Sequence, residues 1–150
     1  MKIIEFGYSE LPGKKGTLRP IAAIYLVNGK RRILKTCIID TGADMCTFPL
    51  SFLQLLGINA KKVKKTAKQE DMICACGKKP HAKGYFYPIS ICLDGLMNCK
   101  KSECVKNCKN QIKVNAFWIE ANCDPLLGRD GILNNFNLHF GDKIHFIPKK

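Results

Sequence analysis

Residues 37–44 are Cys-Ile-Ile-Asp-Thr-Gly-Ala-Asp, and they place an acidic residue directly after an apolar run. Such a run predicts a buried β-strand. Asp40 would then stand at the strand's end, where a rigid backbone can aim a carboxyl group at a fixed point. The Thr41 hydroxyl can lock the loop, and Gly42 permits close backbone approach or a positive φ. The same residue types are common in turns, so this motif alone leaves a catalytic carboxylate and an ordinary turn both open.

A second motif, Leu-Leu-Gly-Arg-Asp-Gly-Ile-Leu, occupies residues 126–133. An apolar strand end runs through Gly128 here, and residues 129–134 are predicted to form a short helix. Taken by itself, this motif is an ordinary connection from a strand to a helix. Together the two motifs favour a functional site over a simple turn.

The remaining sequence predicts short β-strands, because short apolar runs alternate with Gly, Pro and Lys clusters and long helical periodicity is missing. Strands are expected over residues 3–8, 19–27, 31–39, 85–93, 111–120, 136–140 and 143–147. Asn28-Gly29 is a favoured hairpin turn, and residues 49–56 are expected to form one or two helical turns. With no repeat or linker, residues 1–150 are expected to be one domain, with a Cys- and Lys-rich insertion at about 94–110.

The chain carries a formal net charge of +13, which favours anionic surfaces or acidic partners. Only four of its 25 basic residues are arginine, namely Arg19, Arg31, Arg32 and Arg129. Lysine is a poor bidentate reader of base edges, so nucleic acid is expected only as a non-specific partner. A solvated basic surface is the simpler interpretation.

The N-terminal residues predict a protein that is not exported. Glu5 stands where a signal peptide would carry its apolar stretch, and no apolar run approaches the length of a membrane span. We therefore expect a soluble, cytoplasmic protein that makes no membrane contact and keeps its thiols reduced.

The nine cysteines are odd in number, so they cannot all pair within one chain. Structural zinc needs four thiolate or imidazole ligands, commonly arranged as two close pairs. One set of four thiols lies in the second half of the chain, namely Cys92, Cys99, Cys104 and Cys108. Their spacing does not match a standard zinc knuckle, so we predict no metal. Cys37, Cys46 and Cys123 are expected to be small core residues.

The pairing of Ile-Ile-Asp-Thr-Gly-Ala-Asp at residues 38–44 with the motif at residues 126–133 resembles the retropepsins, the retroviral-type aspartic proteases and their cellular relatives. Order, spacing and strand context agree over roughly residues 19–146. The resemblance implies a mostly β chain closed into the barrel of the acid-protease fold, with one short C-terminal helix. It also implies a catalytic Asp40, in a loop supported by Thr41, Gly42, Ala43, Asp44, Gly128 and Arg129.

The activity that the resemblance implies is an aspartic endopeptidase without cofactor or metal. Two like charges about 3 Å apart cannot both ionise readily, so the two carboxylates share one proton. The ionised member deprotonates a bridging water, and the protonated member donates to the scissile carbonyl oxygen. Because the chain contains a single Asp-Thr-Gly, the resemblance implies a homodimer that places Asp40 against its copy and takes a peptide or protein substrate.

Three further features follow from the resemblance. Asp44 and Arg129 match positions that form a supporting ion pair near the dimer contact, and Thr41 would brace the opposite loop. A hairpin flap is expected to close over the substrate, and its tip falls at Cys74, Ala75, Cys76 and Gly77, although family flaps often carry more glycines.

A second hypothesis makes the chain a non-catalytic binding module on the same fold. Its basic surface and Cys-rich segment would then bind nucleic acid or an acidic protein. The +13 charge and the cysteines motivate this hypothesis, whereas the Asp-Thr-Gly-Ala motif favours the peptidase.

Overall fold

A computed structural model of the chain describes residues 2–11, 13–72, 82–93, 108 and 110–150. Within them the strands are β1 (Ile4–Leu11), β2 (Lys14–Asn28), β3 (Arg31–Ile39), β4 (Thr47–Pro49), β5 (Gln69–Asp71), β6 (Lys83–Cys92), β7 (Gln111–Ile119), β8 (Leu126–Leu127), β9 (Phe136–Phe140) and β10 (Ile144–Pro148). The helices are α1 (Ser51–Leu55), α2 (Ala60–Thr66) and a 3-10 helix (Leu133–Asn135). The prediction of a mostly β chain is confirmed.

The strands form one sheet in the order β5-β6-β7-β4-β8-β3-β2-β1-β10-β9, with β6 also paired to β2. The extra pairing joins Tyr25 to Cys92, Leu26 to Ile91 and Val27 to Ser90. The paired strands therefore form a circuit, which runs from β2 through β3, β8, β4, β7 and β6 and returns to β2. One link of this circuit, between β4 and β8, consists of the single pair Thr47 and Leu126, and the closed barrel stays a prediction.

The helices differ from the sequence expectation in two places. The predicted helix over residues 129–134 is reduced to the 3-10 turn Leu133–Asn135, because Gly131 has a φ of 80°, far outside helical values. Helix α2 was not predicted at all. The Asn59 side chain caps it by accepting a hydrogen bond from the Lys62 backbone N–H at 3.2 Å. Only Val63 of this helix is buried, so its sequence carries almost no apolar signal.

The core is built from the strands of the circuit and the two α-helices, and it continues into β1, β9 and β10. Trp118 is fully buried, packs against Phe48 at a centroid distance of 5.3 Å, and donates its indole N–H to the Tyr87 carbonyl oxygen at 2.9 Å. This contact holds β7 and β4 together directly beside β8, whose end meets the Asp40 loop. No helix of the described residues is long and apolar enough to cross a membrane.

Glu120, at the end of β7, joins three elements. Its carboxylate accepts a hydrogen bond from the Tyr85 hydroxyl at 2.8 Å and forms an ion pair with Lys64 of α2 at 2.6 Å. Lys64 and then Tyr85 hold the pKa of Glu120 below its ordinary value of 4.5. A depressed folded-state pKa stabilises the fold above the unfolded pKa, and this stabilisation is lost as pH falls through the folded value.

We expect the Glu120→Gln variant to have a lower Tm than the wild type at neutral pH. The difference should shrink as pH falls from about 4.5 through the lower folded-state pKa of Glu120, because the wild-type carboxylate becomes protonated over this range. Thermal unfolding of both proteins across this pH range measures the effect. Asp71→Asn, an exposed carboxylate without an ion-pair partner among the described residues, is the matched control. A difference that stays constant or grows in acid would contradict this role of Glu120.

Candidate active site

Asp40 follows the last residue of β3 and is half-buried, whereas Thr41 and Gly42 are exposed. The Gly42 backbone N–H donates to Asp40 Oδ1 at 2.9 Å, and the Ala43 N–H donates to the Asp40 carbonyl oxygen at 3.2 Å. The carboxylate thus hydrogen-bonds to its own turn, which limits its rotation. The other carboxylate oxygen, Oδ2, accepts no hydrogen bond from any described residue.

The strand pairing places the two sequence motifs side by side. β3 and β8 run parallel, with Ile38 opposite Leu126 and Ile39 opposite Leu127. The Ile38 N–H donates to the Pro125 carbonyl at 2.8 Å, and the Asp40 N–H donates to the Leu127 carbonyl at 3.1 Å. These two backbone hydrogen bonds fix the position of Asp40 along β8, next to Gly128.

Gly128 lies against the backbone of the Asp40 loop. A Cβ added there would stand 2.3 Å from both the carbonyl carbon and the oxygen of Met45, closer than real Cβ atoms approach. The following residues complete the contact, because the Arg129 N–H donates to the Ala43 carbonyl at 3.0 Å and the Asp130 N–H to the Asp44 carbonyl at 2.7 Å. Only glycine fits where the two loops touch, a contact that we call the Gly128 crossing. The two loops therefore form one rigid unit.

Asp44 and Arg129, which the resemblance paired, form an ion pair between the two loops. Their side chains are 78% and 52% exposed, so solvent screens the pair and it contributes at most about 1 kcal/mol to stability. The backbone bonds beneath it therefore fix the loops, and the ion pair adds a contact at the surface. Among the described residues, none hydrogen-bonds to the Thr41 hydroxyl, so its predicted bracing of an opposite loop stays a prediction.

Two thiols are buried beneath the loop. Cys37 and Cys46 have no disulfide partner and are inaccessible to solvent, while Cys123 is half-buried. Burial raises the pKa of the Cys46 thiol to about 11, Asp130 adds to the rise, and the Gly128 N–H opposes it. Burial also raises the pKa of Cys37 far above its ordinary value. Both thiols are therefore neutral and do not act as nucleophiles, in keeping with the core positions expected for them.

The cysteine predictions need one correction. Cys92 and Cys108 form a disulfide with a sequence separation of 16, so the expectation of reduced thiols is wrong for this pair. A disulfide removes both sulfurs as zinc ligands, and the four-cysteine zinc hypothesis fails with them. The other two members, Cys99 and Cys104, lie outside the described residues. No group of three or more His, Cys, Asp or Glu side chains in the described ranges is arranged to hold a metal ion.

The predicted flap tip, Cys74 to Gly77, also lies outside the described residues. Its flanking strands are described: β5 pairs antiparallel with β6 through Gln69 and Tyr85, Glu70 and Gly84, and Asp71 and Lys83. The Met72 N–H extends this ladder by donating to the Ala82 carbonyl at 3.0 Å.

Sequence reasoning missed two backbone participants in the site, Met45 and Asp130. They form an isolated parallel bridge, and Met45 is the residue that requires glycine at position 128. No side-chain pattern marks a residue that acts through its backbone. The sole sequence signal was Gly128 itself.

The fold of this chain is retropepsin-like. A crystal structure of a retropepsin-like aspartic protease from Rickettsia conorii superposes with a TM-score of 0.60 at 16% sequence identity, covering 97% of this chain and 99% of that one. At this identity the likeness concerns the fold, and it spans nearly the whole length of both chains. No protein-family model and no curated protein sequence matches the chain.

Proposed function

We propose that the chain is one subunit of a homodimeric aspartic endopeptidase and that Asp40 is its catalytic residue. The observation that carries the proposal is the clamped Asp40 loop. The carboxylate stands at a strand end, bonds to the Gly42 N–H at 2.9 Å, and adjoins the Gly128 crossing within a retropepsin-like fold. A fold alone does not define an activity, and the residues of this loop supply the chemistry that an aspartic endopeptidase needs.

The single Asp-Thr-Gly requires a second carboxylate from another subunit. A twofold axis next to the exposed Thr41 and Gly42 would bring Asp40 and its copy together, since an isologous contact pairs each residue with its own equivalent. The exposed faces of Asp44 and Arg129 border the same axis in this arrangement. Two protomers would then make one active site, and an isolated chain would be inactive.

In the proposed reaction the two Asp40 carboxylates hold one proton between them, because like charges about 3 Å apart do not both ionise. The ionised carboxylate takes a proton from a water molecule, whose oxygen attacks the carbonyl carbon of the scissile peptide bond. The protonated carboxylate donates to the carbonyl oxygen. The tetrahedral intermediate then collapses: the carboxylate that took the water proton passes it to the leaving nitrogen, the C–N bond breaks, and one hydroxyl of the intermediate returns its proton to the other carboxylate. The products are a free amine and a carboxylic acid, and the pair again holds one proton. The Gly42 and Leu127 bonds keep each Asp40 in position during these transfers.

The proposal is tested by incubating the purified protein with a mixed peptide library from acidic to neutral pH and identifying the products by mass spectrometry. We expect cleavage at internal peptide bonds, with new termini that accumulate in proportion to time. A dimeric sample that cleaves no peptide in the library across this range would overturn the proposal.

A further inference from the structure

The basic residues of this chain are not spread evenly. Asp40 and Asp44 are the only acidic residues between positions 11 and 69, and both belong to the candidate active site. The same stretch contains Lys30, Arg31 and Arg32 at the β2–β3 turn and four lysines in α2. A stretch of basic residues forms a binding surface only if the fold brings their side chains close together.

The fold brings part of this basic stretch together at α1 and the turn that follows it. The Asn28 side chain, at the tip of the β2–β3 hairpin, donates to the Leu56 carbonyl at 3.0 Å. The Arg31 guanidinium lies on Gly57, where an added Cβ would be 2.7 Å from its Cζ. Further along β3, Lys35 Nζ stands 4.1 Å from the centroid of the Phe52 ring. Strand β3 therefore contributes two cations, one over α1 at Phe52 and one over Gly57 just after it.

Helix α2 packs on α1 and β6, and it turns only Val63 inward. Lys61, Lys62 and Lys65 are exposed. We name Arg31, Lys35, Lys61, Lys62 and Lys65 the lysine face.

The lysine face is electrostatically uncompensated within the described part of the chain. The neighbouring carboxylates are already engaged, because Glu120 pairs with Lys64 and Glu70 pairs with Lys68. No other described carboxylate is within ion-pairing distance of the five cations. Arg31 and Lys35 are held by packing on Gly57 and Phe52 instead. A positive potential of this kind attracts a polyanion.

The composition of the face suits the repeated charges of a phosphate backbone. Lysine binds phosphate as a point charge on a flexible stem, whereas the arginine fork recognises one planar carboxylate or phosphate in a fixed geometry, and the face holds one arginine. Base stacking needs an open aromatic ring, but Lys35 covers Phe52. A membrane-bound surface inserts several apolar side chains, and Leu55 is the one large apolar residue of α1 and α2 that is mainly exposed, at 54%.

We propose that the lysine face binds the phosphate backbone of nucleic acids without sequence preference. Such a contact would hold the protein on a nucleic acid by a surface built from β3, α1 and α2, outside the Asp40 loop. Each phosphate neutralised by a lysine releases counterions, so binding weakens steeply as salt rises.

The test measures fluorescence anisotropy of a labelled single-stranded oligonucleotide of mixed sequence over a series of salt concentrations. The triple variant Lys61→Gln, Lys62→Gln and Lys65→Gln is expected to bind roughly tenfold or more weakly at low salt and to reduce the slope of log K against log salt by about 2. Glutamine has nearly the helix propensity of lysine, and these side chains are exposed, so α2 should persist. Circular dichroism checks this.

The matched control removes three lysines of the exposed surface elsewhere, by Lys113→Gln, Lys149→Gln and Lys150→Gln. Equal weakening by the control would overturn the proposal, because net charge rather than the lysine face would then account for binding. Undetectable binding at low salt, a strong preference for one base sequence, or tighter binding to phosphatidylserine vesicles or to polyglutamate than to the oligonucleotide would each overturn it too. The assay contains no peptide substrate, so its outcome is independent of the proposed peptidase.

Discussion

Replacing Asp40 by asparagine is expected to lower kcat/KM for peptide cleavage by at least about 10³-fold, because the proposed dimer would lose both its general base and its general acid. Asparagine has nearly the same shape as aspartate, and its side-chain oxygen can still accept the Gly42 N–H. The fold and the dimer should therefore survive. Kinetic assays on library-derived peptides, together with Tm and the oligomeric state, measure the effect.

The control for this variant is Asp142→Asn, which makes the same chemical change at an exposed residue between β9 and β10. Its activity should equal that of the wild type. If Asp40→Asn cleaves as fast as Asp142→Asn, Asp40 is not catalytic. If it unfolds, its loss of activity says nothing about chemistry, and the more conservative Asp40→Glu is then compared at matched stability.

Gly128→Ala is expected to have the second-largest effect, on stability and activity together. The added methyl group would stand 2.3 Å from the Met45 carbonyl, and backbone cannot rotate away as a side chain can. Overpacking of this kind costs about 3 kcal/mol, which for a chain of this size lowers Tm by roughly 6–12 °C. Relief of the clash must separate the loops that the Arg129 and Asp130 N–H bonds hold together, so Asp40 loses its fixed position and kcat falls.

Gly7→Ala is the control for Gly128→Ala. Gly7 lies in β1, and an added Cβ there meets nothing within 4 Å, so this variant should keep its Tm and its activity. A Gly128→Ala protein with an unchanged Tm would show that the two loops can move apart freely, contrary to the account of a rigid crossing.

The parts of the fold that sequence could predict are those with a local signal. Continuous apolar runs, and runs that alternate apolar with polar residues, predicted β3, β6, β7, β9 and β10. The dipeptide Asn28-Gly29 predicted the turn between β2 and β3. The Asp40 loop was visible for the same reason, since its residue types follow one another directly. The likeness of the two motifs to a known family then indicated that they belong together.

The parts that sequence could not predict depend on contacts between distant residues. The return of β6 to β2 is set by the register of Tyr25 with Cys92, which no local pattern encodes. The disulfide between Cys92 and Cys108 lies at the end of the β6–β7 ladder, whose last pair joins Cys92 to Gln111. The odd number of cysteines and the expected cytoplasmic location had instead favoured reduced thiols. Helix α2 escaped notice because a helix that buries Val63 alone has no apolar face.

Mixing wild-type and Asp40→Asn subunits at constant total concentration tests whether two copies of Asp40 make one active site. After the subunits exchange, activity is measured against the wild-type fraction. If only dimers with two Asp40 carboxylates are active, activity follows the square of the wild-type fraction. An equal mixture then retains about one quarter of the activity of the pure wild type. An equal mixture that retains about one half, in a linear decline, would mean that each chain works alone and would contradict the shared site.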